Sequence, residues 1–273
     1  MQATVIISTF NQPEWLGKVL HGYRRQAGAT FEVIIADDGS DDTTRAVIEA
    51  SSASSPFPIR HARHDHEGYR RQTILNEALR LASTGYIIMT DGDCIPRSDF
   101  VATHLRHARK GAFVSGGYCK LPMALSKAIQ PEDIDAGRAC SASWLALAGL
   151  RSPSSLLKLG CPGAIGAVLD RLTPTKPTWN NCNSSGWLDD LVSVNGFNED
   201  MKYGGADREL GERLANRGIR GIQLRHRAIV VHLDHARGYK TKDTIERNRA
   251  IRAQVVSSGS TWCENGLVKG PRP

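Results

Sequence analysis

A doubly wound α/β fold with a mostly parallel central sheet is the expectation for this chain, on three observations. Apolar runs without period-two alternation recur along the first 120 residues, as strands buried on both faces require. Helical patterns separate these runs, the alternation that builds a parallel sheet. Three of the runs end in polar or acidic residues, and open α/β sheets bind ligands at their strand ends.

The elements follow in order. "ATVIIST" is the first buried strand; Pro13 then sits at a first helical position, and Trp15, Leu16, Val19 and Leu20 make one apolar helix face. "FEVIIADDGSDD" is a second strand running into acids and a turn, followed by the helix "TTRAVIEA". "PIRHARH" is a short third strand. Ile74, Leu75, Ala78, Leu79 and Ala82 line a third helix that stops at Gly85. "YIIMT" is the fourth strand. From Pro122 to about Pro177, helical fragments cut by Pro and Gly show no strand and read as an insertion, whose apolar faces suit packing on the sheet first, and a membrane surface or a lipid-linked acceptor second. Beyond Trp179 the chain reads as loop up to a helix at 205–217, then a strand "AIVVHLDH". A basic helix begins near Lys242, and "GPRP" reads as a frayed end. The expected division is 1–120, 121–177, 178–240 and 241–273, one structural domain overall.

Composition narrows the function classes. With 40% hydrophobic and 23% charged residues, the 273-residue chain is globular rather than disordered. Its formal net charge of +7 is spread without a dense basic run, which argues against nucleic acid and suits anionic substrates or an anionic membrane face. No stretch reaches the ~18 apolar residues of a membrane span. The start, "MQATVIISTF", has no basic n-region and no signal-peptide pattern, so a cytoplasmic location with six free cysteines is expected.

Residues 85–100, "GYIIMTDGDCIPRSDF", place Asp91 and Asp93 one residue apart at a strand end. Asp-Gly alone is ordinary turn chemistry. Two such carboxylates repel, however, unless one is protonated or a cation lies between them, and a divalent metal is the obvious cation. With Ser8 and Asn11 after the first strand and Asp37 and Asp38 after the second, they form a polar rim. The rim is no dinucleotide or P-loop site, because neither G-x-G-x-x-G nor G-x-x-x-x-G-K-[ST] follows the first strand. Asp37 and Asp38 also fit a plainer role as helix caps. His61, His64 and His66 read as surface polarity, since no fourth ligand is apparent.

"VIISTFNQPEWLGKVL", "IIADDGSDD", "GYRRQTILNEALRLASTGYIIMTDGDCIPRSDFV", "VNGFNEDMKYGGADRELGERL" and "VVHLDH" occur in this order. In them the chain resembles family 2 glycosyltransferases of the glycosyltransferase-A fold, nearest to bacterial enzymes of lipopolysaccharide and capsule synthesis. Its second half is similar to a galactosyltransferase C-terminal segment. The resemblance covers roughly 3–120 and 178–240. It implies an inverting transferase using a UDP-sugar donor and a saccharide or lipid-linked acceptor, in peripheral contact with the inner membrane face.

Site residues follow from the same resemblance. Asp38 would accept the uracil N3–H, and Ser8 and Asn11 would contact base or ribose. Asp91 would bind ribose and the metal, and Arg70 would reach the diphosphate. Asp93 and His232 would ligate Mn²⁺ or Mg²⁺, with His235 as the alternative; an imidazole ligand favours Mn²⁺. Asp207 would be the catalytic base, with Glu209 in reserve. Trp187, Gly205 and Glu209 would lie on the acceptor side. The chain departs from the family pattern at Ala206, where an acid is common before the base, and at Leu75, where an arginine commonly precedes Asn76. Nucleotidyl transfer would share the metal aspartates but lacks its glycine- and arginine-rich loop here. A non-catalytic sugar-nucleotide binder is prompted by Ala206 and opposed by Asp93 and Asp207.

Overall fold

Neighbouring residues of the core strands bury into different cores. Val5, Ile7, Val33, Ile35 and Ile88 join one apolar cluster, while Ile6, Ile34, Ala36, Ile87 and Met89 join another. A strand sends successive side chains to opposite faces, so a run that is apolar throughout needs cover on both. The computed structural model of the protein describes residues 1–161, 163–236 and 241–272 and shows how the cover is arranged.

The first half runs β1 Gln2–Thr9, α1 Pro13–Arg24, β2 Thr30–Asp37, α2 Asp42–Ser54, β3 Ile59–Arg63, α3 Arg71–Leu81 and β4 Tyr86–Asp91. Next come β5 Cys94–Pro96, α4 Phe100–Arg106 and β6 Ala112–Lys120. The helices α5 Met123–Ala128, α6 Pro131–Asp135, α7 Ala142–Leu147, α8 Pro153–Gly160 and α9 Gly163–Leu172 follow. The chain closes with β7 Ser184–Trp187, α10 Leu188–Ser193, α11 Ala206–Asn216, β8 Arg220–His232 and α12 Lys242–Ser258. One eight-stranded sheet has the order β3-β2-β1-β4-β7-β6-β8-β5. β1, β2, β3 and β4 pair in parallel, as do β6 and β8; β7 runs antiparallel to β4 and β6, and β5 antiparallel to β8.

Several elements differ from the sequence expectation. The third helix ends at Leu81 rather than Gly85. Strands β5, β6 and β7 and helices α4 and α10 had no clear signal. β7 reads "SSGW" yet lies mid-sheet, its serines buried because partners satisfy them: Asn180 N donates to Ser184 Oγ (2.9 Å), and Tyr86 Oη lies 2.8 Å from Ser185 Oγ. The last strand starts at Arg220, well before "AIVVHLDH", and ends at His232. Asp37 and Asp38 do not cap α2. That role falls to Asp41, which accepts from Thr44 N at 3.0 Å. The segment before the tail is docked, and so is Gly270, the first residue of "GPRP": Asn195 Nδ2 donates to Cys263 O and Val268 O, and Trp262 Nε1 to Gly270 O. Residues 237–240, at the expected 178–240 boundary, and Pro273 lie outside the described residues. Among the described residues no helix is long and apolar enough to cross a membrane. All six cysteines are free thiols.

His104 of α4 is fully buried and joins that helix to the sheet centre. Its Nε2 donates to Asn183 Oδ1 (3.0 Å), which fixes the tautomer, and its Nδ1 accepts from Ser185 Oγ (2.7 Å). Burial pulls its pKa down from 6.5 to about 4, so the ring is held neutral. In the unfolded chain it takes up a proton near 6.5; the folded chain resists until about 4. This contribution is therefore complete above pH 6.5 and lost as pH falls from there to about 4, at up to roughly 1.4 kcal/mol per pH unit. Urea unfolding across pH 4 to 7 should show His104→Asn with a shallower acid loss of stability than wild type; parallel curves would remove His104 from the account.

Candidate active site

The carboxyl ends of β1, β2 and β4 open into one cavity of about 1060 Å³. Ser8, Asp38, Arg71, Asp91, Asp93, Gly205, Asp207, His232 and His235 line it. This is where an open α/β sheet presents polar groups that no strand neighbour consumes. At about 1060 Å³ the cavity is at the upper end of ligand pockets, which are typically ~300–1,000 Å³.

On one side, Asp38 is buried and accepts from His64 Nε2 (2.8 Å) and from Arg70 N (3.1 and 3.2 Å). Burial raises its carboxyl above the usual range, and the His64 and Arg70 hydrogen bonds oppose that rise. A carboxylate has about four acceptor positions, so capacity remains for one more donor. Phe10 and His66 stack beside it with ring centroids 4.6 Å apart. His61 meanwhile bonds Asp37 at 2.9 Å. Two of the three histidines read as surface polarity therefore orient the aspartate pair, and the third supplies a flat face.

At the floor, Asp91 is paired with Arg71, whose Nε also donates to Ser8 Oγ (3.1 Å). Ser8 Oγ donates in turn to Asp91 (3.0 Å). The cation expected between the two aspartates is thus, for Asp91, a guanidinium. Arg71, not Arg70, enters the cavity; Arg70 turns its side chain to Glu67 (2.6 Å), because neighbouring helix-start residues point in different directions. Leu75 is buried core, and Asn76 ties α3 to Phe197 and Glu199.

Asp93 is buried, with His235 Nε2 at 3.1 Å and His232 Nε2 at 3.9 Å. Each histidine commits Nδ1 to a carbonyl, His232 to Leu233 O and His235 to Ala236 O, both at 2.8 Å. That hydrogen bond places the Nε2 lone pair toward the carboxylate, the arrangement a metal-binding imidazole adopts. Facing acceptors repel unless a proton or a metal cation lies among them, so this donor set fits a divalent metal. Asp93, Cys94 and His232 offer ligand atoms within 4.8 Å of one another. Cys94 is a buried thiol that donates to Asp93 (3.2 Å), and burial raises its pKa. Burial raises the Asp93 carboxyl as well; His232 and His235 oppose this and Asp91 reinforces it.

Asp207 stands in the first turn of α11, after Gly204 (φ +106°) and Gly205 (φ +91°), a left-handed turn that a side chain would strain. Enclosure in the cavity raises its carboxyl; Arg208 N (2.8 Å) and the Arg71 and Arg208 charges pull the other way. The double glycine is held by a residue that carried no sequence signal. Asn248 of α12 donates to Lys202 O, Tyr203 O and Gly204 O at 3.1, 3.1 and 2.9 Å. Ala206 is buried at 4% exposure and lies in the cavity wall beside Asp207.

Besides Arg70, three expected site residues lie elsewhere. Asn11 is not in the cavity wall: its Oδ1 accepts from Asp41 N (2.8 Å), joining two loops behind the site. Trp187 packs edge-on against Tyr86 (5.3 Å) under Lys110 (3.9 Å), away from the cavity. Glu209 is fully buried against Arg213 at 2.7 and 2.8 Å and faces the core.

Residues 4–121 match the family model for glycosyl transferase family 2. The matched segment runs from β1 through β6 and holds Ser8, Asp38, Asp91 and Asp93. It is 26% identical over 299 residues to the uncharacterized glycosyltransferase YfnE of Bacillus subtilis (strain 168), covering 100% of this chain and 75% of that protein. Validoxylamine A glucosyltransferase of Streptomyces hygroscopicus subsp. jinggangensis (strain 5008) is 29% identical over 230 residues, 79% of this chain and 52% of its own length. The chain therefore spans about half of that relative. In fold it is similar to a mannosyltransferase from Pyrobaculum calidifontis in complex with GDP-Man and Mn²⁺. That match has a TM-score of 0.59 and 19% identity over 94% of this chain and 62% of that one. It is likewise similar to S. aureus TarS 1-349 in complex with UDP-GlcNAc, with a TM-score of 0.62 and 14% identity over 95% and 66%. The architecture is the glycosyltransferase-A fold, as the sequence motifs implied.

Proposed function

We propose that this protein is an inverting family 2 glycosyltransferase that moves a sugar from a UDP-sugar to a saccharide or lipid-linked hydroxyl, in surface polysaccharide synthesis. The observation that carries the reading is the meeting of Asp38, Asp91, Asp93 and Asp207, from three separate chain segments, in one cavity. UDP and UDP-GlcNAc complexes of the TarS 1-349 structures and the glucosyltransferase relatives support the donor class.

Each residue has a physical task. Asp38 offers only acceptors, so it selects a base with an N3–H donor, uracil over cytosine. Phe10 and His66 flank that position. Ser8 and Asp91 would hold the ribose, and Arg71, already at Asp91, would lie toward the diphosphate. Asp93, His232 and His235 would hold Mn²⁺, with Asp91 beside them. When bound, the ion would neutralise charge on the leaving diphosphate. Asp207 takes the proton of the acceptor hydroxyl as its oxygen attacks the anomeric carbon and the carbon–phosphate-oxygen bond breaks on the opposite side. The single displacement inverts the anomeric centre.

UDP with Mn²⁺ should raise Tm, because a ligand of the native state stabilises by mass action. Asp93→Ala, or excess chelator, should weaken UDP binding at least tenfold. UDP affinity unchanged by chelator would remove the metal from donor binding, and CDP bound as tightly as UDP would remove Asp38 from base selection.

A further inference from the structure

Strand β8 departs from its ladder with β6 at one place. Gly116 pairs with Leu224 but Gly117 pairs with Ile229, so residues 225–228 form a bulge. The bulge is built. Asn183 Nδ2 donates to Gly117 O (2.7 Å) and Ala228 O (2.9 Å), its orientation fixed by the His104 hydrogen bond. Asp170 of α9 accepts from His226 N (2.9 Å) and Arg227 Nε (2.7 Å). A Cβ on Gly117 would lie 2.0 Å from Arg225 O, so only glycine fits there. With His226 and Arg227 tied to Asp170, Arg225 remains in the cavity wall, its Nη1 donating to Thr175 Oγ1 (2.7 Å). Bulges beside sites commonly re-aim a side chain in this way.

The surroundings of Arg225 are cationic. Lys158 of α8 donates to Tyr118 O (3.1 Å), and its ammonium lies 5.5 Å from the Tyr118 ring, with Lys120 on the same ring at 5.6 Å. Arg71 and Arg252 of the same cavity are paired, with Asp91 and Glu212. Among the described residues Arg225, Lys158 and Lys120 join no ion pair. Like charges gathered in a concave wall repel, and an anion relieves that repulsion. Burial and the charge of Arg225 lower the Lys158 pKa, as such repulsion requires. Gln223, two residues before Arg225 in the same wall, has a buried side-chain oxygen without a hydrogen-bond partner among the described residues. Tyr118 joins this wall to the candidate metal ligands, its ring 6.2 Å from that of His232.

The diphosphate of a nucleotide sugar is already matched by Arg71 and the Asp93–His232–His235 site. We propose that the Arg225–Lys158–Gln223 wall is the acceptor subsite, and that the acceptor carries a phosphate or carboxylate group held by Arg225 and Lys158 while Gln223 bonds its hydroxyls. This rests on the transferase reading above and names the acceptor class for it.

The test uses the full chain saturated with UDP and Mn²⁺, titrated by calorimetry with hexose phosphates, hexuronic acids, the matching neutral hexoses and inorganic sulfate. Anionic probes should bind at least about tenfold tighter than neutral ones, and the better of the phosphate and uronate series identifies the group. Arg225→Gln and Lys158→Met should each weaken the anions by about tenfold or more, the scale of a charged hydrogen bond. UDP affinity of both variants should stay at the wild-type value, which separates this outcome from failure of the nucleotide reading. Neutral sugars binding equally well, no anionic probe binding, anion affinity surviving Arg225→Gln, or UDP weakened by that change would each overturn the assignment.

Discussion

Asp207→Asn should lower kcat by about 10²–10⁴ while UDP binding in the presence of Mn²⁺ stays near wild type. The amide keeps the shape and can still accept from Arg208 N, the 2.8 Å contact that the carboxylate makes. A purely structural residue would therefore tolerate the change. What the amide loses is the proton acceptor. From sequence the direction of the Asp207 pKa was open, because a helix N-terminus favours the carboxylate whereas burial disfavours it. The structure resolves the direction as upward: enclosure outweighs the Arg208 amide and the Arg71 and Arg208 charges, and Asp91 adds to the rise. A base must be deprotonated to act, so the acid limb of kcat/KM should lie above the usual carboxylate range, with activity rising as pH rises through it. Near-normal turnover of Asp207→Asn with that limb intact would take the role away from Asp207.

Legibility in the sequence followed the physics of each element. Strands β1, β2 and β4 were readable because both faces are apolar, and the polar residues that end them were readable because nothing in the sheet uses them. β7 was not, since Ser184 and Ser185 are polar in a buried strand and make sense only with Asn180, Tyr86 and His104 beside them. Those partners are long-range in sequence. The 225–228 bulge has the same character, specified by Gly117, Asn183 and Asp170 together. Arg70 and Arg71 were indistinguishable as letters; about 100° of helix rotation separates a cavity cation from a surface one. Asn248 carried no signal at all, because a lone asparagine in a basic helix usually faces water.

Glu209 shows the opposite error, a residue whose position beside Asp207 suggested chemistry that its environment forbids. Four residues on, Arg213 is fully buried, bonded to Glu209 at 2.7 and 2.8 Å and donating to Gly196 O at 2.7 Å and to Val194 O. The i,i+4 spacing was visible, but such pairs usually lie on a solvated helix face and contribute only ~0.3–0.5 kcal/mol. Here both partners have no exposed surface, and the arginine joins α11 to the carbonyls after α10. Glu209→Ala leaves the guanidinium buried without its counter-charge and should destabilise by about 3–5 kcal/mol, read from the urea midpoint. Replacing both partners, Glu209→Leu with Arg213→Met, removes the uncompensated charge and should cost less than Glu209→Ala alone, although Val194 O and Gly196 O then lose their donor. UDP affinity of the folded fraction should not change in either variant, since neither side chain reaches the cavity. A Glu209→Gln protein of wild-type stability whose turnover collapsed would instead return the proton to Glu209, against the geometry that holds both of its oxygens on Arg213.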